Sequence, residues 1–168
     1  MLLTDEQYRN VWDRVYDTLH FCPSVDTSVM PFIITAPHTV FDISHSEIIS
    51  FEQFDHLITK AFIRCTAPGE QLYALDWQHS AFLFDPRDPE QMKSIYVEDP
   101  RYFGGGYDAI FPPYYPDGDY YFFIDEYFRF GYLSHPWRQE IWIFGENLIA
   151  EFENIYKQFG WTEKEGLR

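Results

Sequence analysis

Apolar residues recur at helical spacing in three places along the chain. Over residues 4–19, Tyr8, Val11, Trp12, Val15, Tyr16 and Leu19 fall on one face of a helical repeat. Thr4 and Gln7 make a capping box, each side chain satisfying an otherwise orphaned amide of the first turn, and Leu3 with Tyr8 can staple the entry. The same grammar returns at Ser50 and Gln53, with Ile49 and Phe54 as staple and Phe54, Leu57, Ile58, Ala61, Phe62 and Cys65 as the buried stripe. A third stripe, Leu148, Ile149, Phe152, Ile155, Tyr156 and Phe159, predicts a helix over about 146–159 that stops at Gly160.

Between these helices the period changes to two, the signature of half-buried strands. Residues 32–36 and 39–43 read as strands separated by Pro37, and 71–77 and 81–84 as a strand pair around Gln78-His79. Residues 140–144 are apolar on both faces, as a central strand requires. Within 116–135, Asp125-Glu126 taken as a two-residue hairpin loop pairs Ile124 with Tyr127 and Asp119 with Tyr132, and sets Pro116 opposite His135. In that register Asp119, Tyr121, Phe123, Phe128, Phe130 and Tyr132 share a face that belongs on the helices. Tyr120, Phe122, Ile124, Tyr127, Arg129 and Gly131 share the other, either an exposed platform or core beneath a loop.

These elements predict a single α+β domain over residues 1–168, with an antiparallel sheet packed mainly on one face and helices at both chain ends and between strands. One stretch breaks the pattern. Residues 85–115 are rich in proline, glycine and aromatics, with strand character only at 94–97, and read as an ordered binding loop. Its aromatics Tyr102, Phe103, Tyr107, Tyr114 and Tyr115 are the expected partner contacts.

Charge sharpens this expectation. Twelve Lys and Arg stand against 27 Asp and Glu, for a formal net charge of -15. Such a field repels nucleic acid and anionic membranes and attracts a basic protein. No apolar run is long enough to cross a bilayer, the first residues lack the basic start of a secretory signal, and the cytoplasm is the expected location. Cys22 and Cys65 alone suggest no disulfide framework.

No catalytic motif is present. The glycines at 104–106 follow no clear strand and precede no Lys-Ser or Lys-Thr, so a turn explains them better than a phosphate cradle. The six histidines show neither HxH nor HExxH spacing, and no metal or cofactor is expected. Asp76, His79, Asp117, Asp119 and His135 are the candidates for acid and base work if they share one cleft, although Asp117-Gly118-Asp119 is also an ordinary turn sequence.

Three segments carry a family resemblance: Leu75 to His79 (LDWQH), Pro116 to Tyr121 (PDGDYY), and Gly131 through His135-Pro136-Trp137 to Phe144-Gly145. On these the chain resembles the bacterial domain-of-unknown-function family numbered 2716, over about residues 12–152. The resemblance implies a bacterial protein of one domain and no particular activity. Small acidic proteins of this kind often accompany secreted toxins as immunity proteins, an analogy of size, charge and setting. The expected function is therefore non-enzymatic capture of a basic protein, plausibly a toxin. The alternative is a small enzyme or ligand-binding domain using the five polar residues.

Overall fold

In a computed structural model, the structure describes residues 1–92, 97–98 and 108–164. Helix α1 (Asp5–Leu19) starts in the expected capping box and is followed by β1 (His38–Asp42) and α2 (Phe51–Cys65). Next come β2 (Leu72–Asp76), β3 (Ala81–Phe84), a 3-10 turn (Pro89–Met92) and the short pair β4 (Val97–Glu98) and β5 (Asp108–Ala109). Strands β6 (Tyr121–Asp125), β7 (Gly131–His135) and β8 (Glu140–Phe144) lead to α3 (Glu146–Glu153), a 3-10 turn (Tyr156–Phe159) and β9 (Thr162–Glu163). Seven strands form one antiparallel sheet in the order β3-β2-β6-β7-β8-β1-β9, while β4 and β5 pair separately.

Alternation along the strands feeds two apolar layers. Tyr121, Phe123, Tyr132, Ile141 and Ile143 point into one layer, where Phe54, Ile58 and Phe62 of α2 and Leu148 and Phe152 of α3 meet them. Two of the three helices thus share a face, as expected. The opposite face is covered as well: Phe122, Ile124, Leu133 and Trp142 pack beneath Val11, Trp12 and Val15 of α1 and beneath Phe21, Phe32 and Ile34. Of the two alternatives for this face, core rather than exposed platform is what forms, since Tyr120, Phe122 and Ile124 are fully enclosed, although beneath α1 and the segment after it. Each large side chain buried in this way contributes roughly 1.5–3 kcal/mol, so covering both faces nearly doubles what one layer would supply.

Three expectations are corrected. Residues 32–36 form no strand. Their alternation is real, burying Phe32 and Ile34 and exposing Ile33, but the segment lies over the sheet, with Phe32 against Phe122 and Trp142, and pairs with no strand. The last helix ends at Glu153, and its inward stripe continues through the 3-10 turn to Phe159. Ile49 is fully exposed, so it staples nothing onto Phe54.

The hairpin register is the fourth correction, and it matters for the site. Ile124 pairs with Gly131 and Phe123 with Tyr132, a shift of four residues from the two-residue turn. The cause is Asp125. Its buried carboxylate accepts the amides of Tyr127 and Arg129 at 3.1 and 3.2 Å and the Arg129 guanidinium at 2.7 and 2.8 Å, building a wider loop around itself. Glu70 holds the far side of Arg129 at 2.7 Å. Because four is even, the residues that stay in the strands keep their faces. Only the partners change, and Tyr120 now stands beside His135, with ring centroids 4.8 Å apart.

Candidate functional site

Asp76 ends β2 and enters a tight turn to β3, closed by the Asp76 amide on the Ser80 carbonyl at 2.9 Å and by Gln78 in the left-handed region at φ 64°. The turn presents His79 to solvent. Asp76 is paired with Tyr121 at the start of β6, so the residues just before that strand, Asp117 and Asp119, arrive next to the turn. Gly118, at φ 120°, takes a conformation that disfavours a side chain and lets the chain reverse between them.

The result is a cluster of two carboxylates, Asp76 and Asp119, on one imidazole, with Asp117 at its edge. Nδ1 of His79 lies 3.1 Å from Asp76 Oδ1 and 3.2 Å from Asp119 Oδ2. Asp119 Oδ1 accepts the Tyr120 amide at 2.8 Å, and the Tyr121 hydroxyl donates to Asp117 Oδ1 at 2.6 Å. Burial pushes the Asp76 carboxyl up to about 6; Asp119 and Asp117 push the same way, and the His79 hydrogen bond opposes them. Burial, the bond to Asp117 and the neighbouring carboxylates also hold Tyr121 far above an ordinary phenol, so it stays a donor. A carboxyl poised near neutrality beside an imidazole can take or give a proton, and the convergent donors can hold a cation.

His135 is not part of this cluster. It lies on the α1 face, completely enclosed, while Asp76 and Asp119 lie toward the other face. Its Nδ1 accepts the Arg138 amide at 3.2 Å, which places the ring proton on Nε2, 3.3 Å from the Tyr120 hydroxyl. That hydroxyl donates to the Ser24 carbonyl at 2.8 Å and accepts the Ser24 amide at 2.9 Å, so His135 anchors the segment that, beside α1, covers this face of the sheet. Burial, with Arg138 close by, depresses the imidazole to about 4 and keeps it neutral. The single five-residue cleft is thus divided: Asp76, His79, Asp117 and Asp119 come together, and His135 is a joint of the core.

Tyr114 is a second correction to the expected site. Its ring is buried among Phe62, Phe123 and Tyr132, and its hydroxyl meets Thr59 Oγ1 at 3.0 Å, so it packs as part of the core. Tyr115 is half-buried, edge-on to Phe51 and Phe54. Tyr102, Phe103 and Tyr107 lie outside the described residues. A groove of about 630 Å³ that no local pattern announces lies between residues 34–39 and α3, and its lining includes Ile34, Pro37, Ile149, Glu146 and Glu153.

A family model described as a protein of unknown function, DUF2716, matches residues 2–149. The chain belongs to this family. The DUF2716 match takes in both halves of the carboxylate cluster and the His135 joint, which the resembling segments LDWQH, PDGDYY and HPW supply. An uncharacterized protein of Bacillus subtilis (strain 168), YxiI, is 30% identical over 161 residues, covering 90% of this chain and 91% of the relative. No solved structure matches the chain. Among the described residues, no helix is long and apolar enough to cross a membrane.

Proposed function

We propose that the protein is a non-enzymatic acidic binding protein that captures a basic protein partner, as an immunity protein captures a toxin. The observation that carries this reading is where the positive charge goes. Arg9 pairs with Asp5, Arg64 with Glu151, Arg129 with Asp125 and Glu70, and Arg138 and Lys164 with Glu140. Arg14 is bound to the carbonyls of Glu126 and Tyr127, and Arg87 to those of Ile63 and Thr66. Among the described residues most Lys and Arg are thus engaged within the chain, and with 27 acidic residues against 12 basic ones the net field is negative. Such a field steers a cationic partner into encounter and suppresses anionic ones.

The groove beside α3 supports the same reading. Its lining contains Glu146 and Glu153 and no Lys or Arg, so it suits a cationic segment of a partner. The Bacillus relative supports a bacterial setting, where toxins and their antagonists are encoded side by side. Co-expression with a basic toxin encoded beside this chain should restore growth. Association with it should slow about tenfold between low and high salt, as should association of the double variant Glu146→Lys, Glu153→Lys at low salt. An association rate indifferent to both changes removes the charge argument.

A second reading, a small enzyme or ligand-binding domain, is favoured by the gathering of Asp76, His79, Asp117 and Asp119. On that reading Asp119→Asn abolishes the cellular activity while the melting temperature stays put, whereas a pure binder working through the groove keeps its protection.

A further inference from the structure

We infer that Asp76, His79 and Asp119 form a binding site for a divalent transition-metal ion of the zinc type, independently of what partner the protein captures. One donor atom from each residue lies within 4.8 Å of the other two, and the three come together from the end of β2 with its turn and from the residues just before β6. The two donor pairs around Nδ1 are 3.1 and 3.2 Å apart. Zinc bonds of about 2.0–2.2 Å to nitrogen and oxygen put neighbouring ligand atoms roughly 3.3 Å apart in a tetrahedron. Two of the three ligand–ligand edges thus already match a tetrahedral site, and the third, between the two carboxylates, lies within 4.8 Å.

Hydrogen bonding alone accounts poorly for this arrangement. Nδ1 carries at most one proton, yet two carboxylate oxygens converge on it, so one N–H must be divided between two anions. A dication at the point of convergence bonds to all three atoms, and two carboxylates with a neutral imidazole balance its charge. The donor types choose among metals: an imidazole nitrogen favours zinc and its neighbours over calcium and magnesium, which prefer oxygen throughout.

The supporting contacts fit the role. The Tyr120 amide occupies Asp119 Oδ1 and leaves Oδ2 turned toward His79. Tyr121 fixes Asp117 at the edge of the cluster through its hydroxyl. With three protein donors and His79 reaching into solvent, the fourth position stays open to water or to a ligand, the arrangement of metal sites that do chemistry or hold a small molecule.

The test is calorimetric titration of the chelator-treated full chain with zinc chloride near neutral pH. One site per chain is expected, weakened at least tenfold in each of His79→Ala and Asp119→Asn. Cobalt(II) bound in place of zinc should show the intense visible absorption of four-coordinate geometry, lost in the same variants. His79→Gln, which changes only the exposed turn, guards against a folding defect, with circular dichroism confirming the fold. Absence of uptake by the unaltered chain at submillimolar zinc overturns the inference. So does uptake that His79→Ala and His79→Gln leave unchanged, because the metal would then sit on other surface histidines.

Discussion

Two polar clusters lie at the same end of the sheet, and they are built on opposite principles. In the first, Glu140 begins β8 and is wholly buried. Its oxygens take Arg138 at 2.8 and 3.0 Å, Lys164 at 2.6 Å and the Trp142 indole at 3.0 Å. Arg138 also reaches the carbonyls of Thr27 and Val29, tying down the segment that covers the α1 face. Two cations serve one carboxylate there. In the second, two carboxylates converge on the same nitrogen of His79, and the nearby Asp117 takes the Tyr121 hydroxyl. A closed network, each member satisfied, is what stability requires; an open one with surplus carboxylate is what a cation would complete. The contrast separates scaffold from site without reference to any motif.

The sharpest way to break this contrast is to remove the carboxylate from the closed cluster. Glu140→Gln leaves Arg138 and Lys164 without their shared anion in a largely buried setting. Burial by itself pushes Glu140 upward, and the bonds from Arg138, Lys164 and Trp142 outweigh it and hold the group below the ordinary glutamate range. Losing one partner of such a buried pair costs about 3–5 kcal/mol. Urea unfolding of the variant should show that loss; a cost under about 1 kcal/mol would mean the network is not what holds the α1 face.

Protonation should test the His135 joint next. Its folded value, about 4, lies below the ordinary imidazole value of 6.5, because the enclosed ring is cut off from water and lies near the Arg138 side chain, with Glu140 opposing. A group depressed on folding contributes stability in full above its unfolded value. That contribution falls as pH drops from about 6.5 toward about 4, and the difference amounts to at most about 3 kcal/mol. Unfolding free energies measured across this range should decline. The part of the slope due to His135 should vanish in His135→Gln, which keeps a polar group beside Tyr120.

What the sequence made legible follows from range. The helices α1 and α2, the β2–β3 turn and the two-faced strand β8 are written in local periodicity and caps, which a single segment displays. The sharing of faces along β6 and β7 was legible for the same reason, since side chains alternate whatever the register. The register itself was not legible, because it is set by the buried Asp125 carboxylate and its distant partner Glu70, and nothing local distinguishes that aspartate from a surface turn residue. Tyr114 was misplaced on similar grounds: an aromatic in a proline-rich loop reads as exposed until Phe62, Phe123 and Tyr132 close around it. Asp76 and His79 could be read as a pair from one turn. Asp117 and Asp119 stand with them among the sequence candidates for one cleft, and the wrong hairpin register is what adds His135 to that group.

The smallest expected effect bears most directly on the comparison, because its sign reverses. Asp76→Asn removes a carboxylate from the open cluster. Burial together with the neighbouring Asp119 and Asp117 raises this group to about 6, so the folded chain binds its proton more tightly than the unfolded chain does. The stability linked to that proton is present in full below the ordinary aspartate range and is lost as pH rises through about 6. At neutral pH the ionised carboxylate is therefore a burden on the fold. Asparagine keeps the shape and a hydrogen-bonding oxygen for His79 while removing the charge. In chelator-containing buffer at neutral pH, Asp76→Asn should leave stability unchanged or raise it by about 1 kcal/mol, with the gain disappearing below pH 4 where aspartate is itself neutral. Removal of one carboxylate would then weaken the molecule at Glu140 and relieve it at Asp76. A loss of more than about 2 kcal/mol at Asp76 would instead place both clusters in the scaffold and leave the second without the surplus charge that marks it as a site.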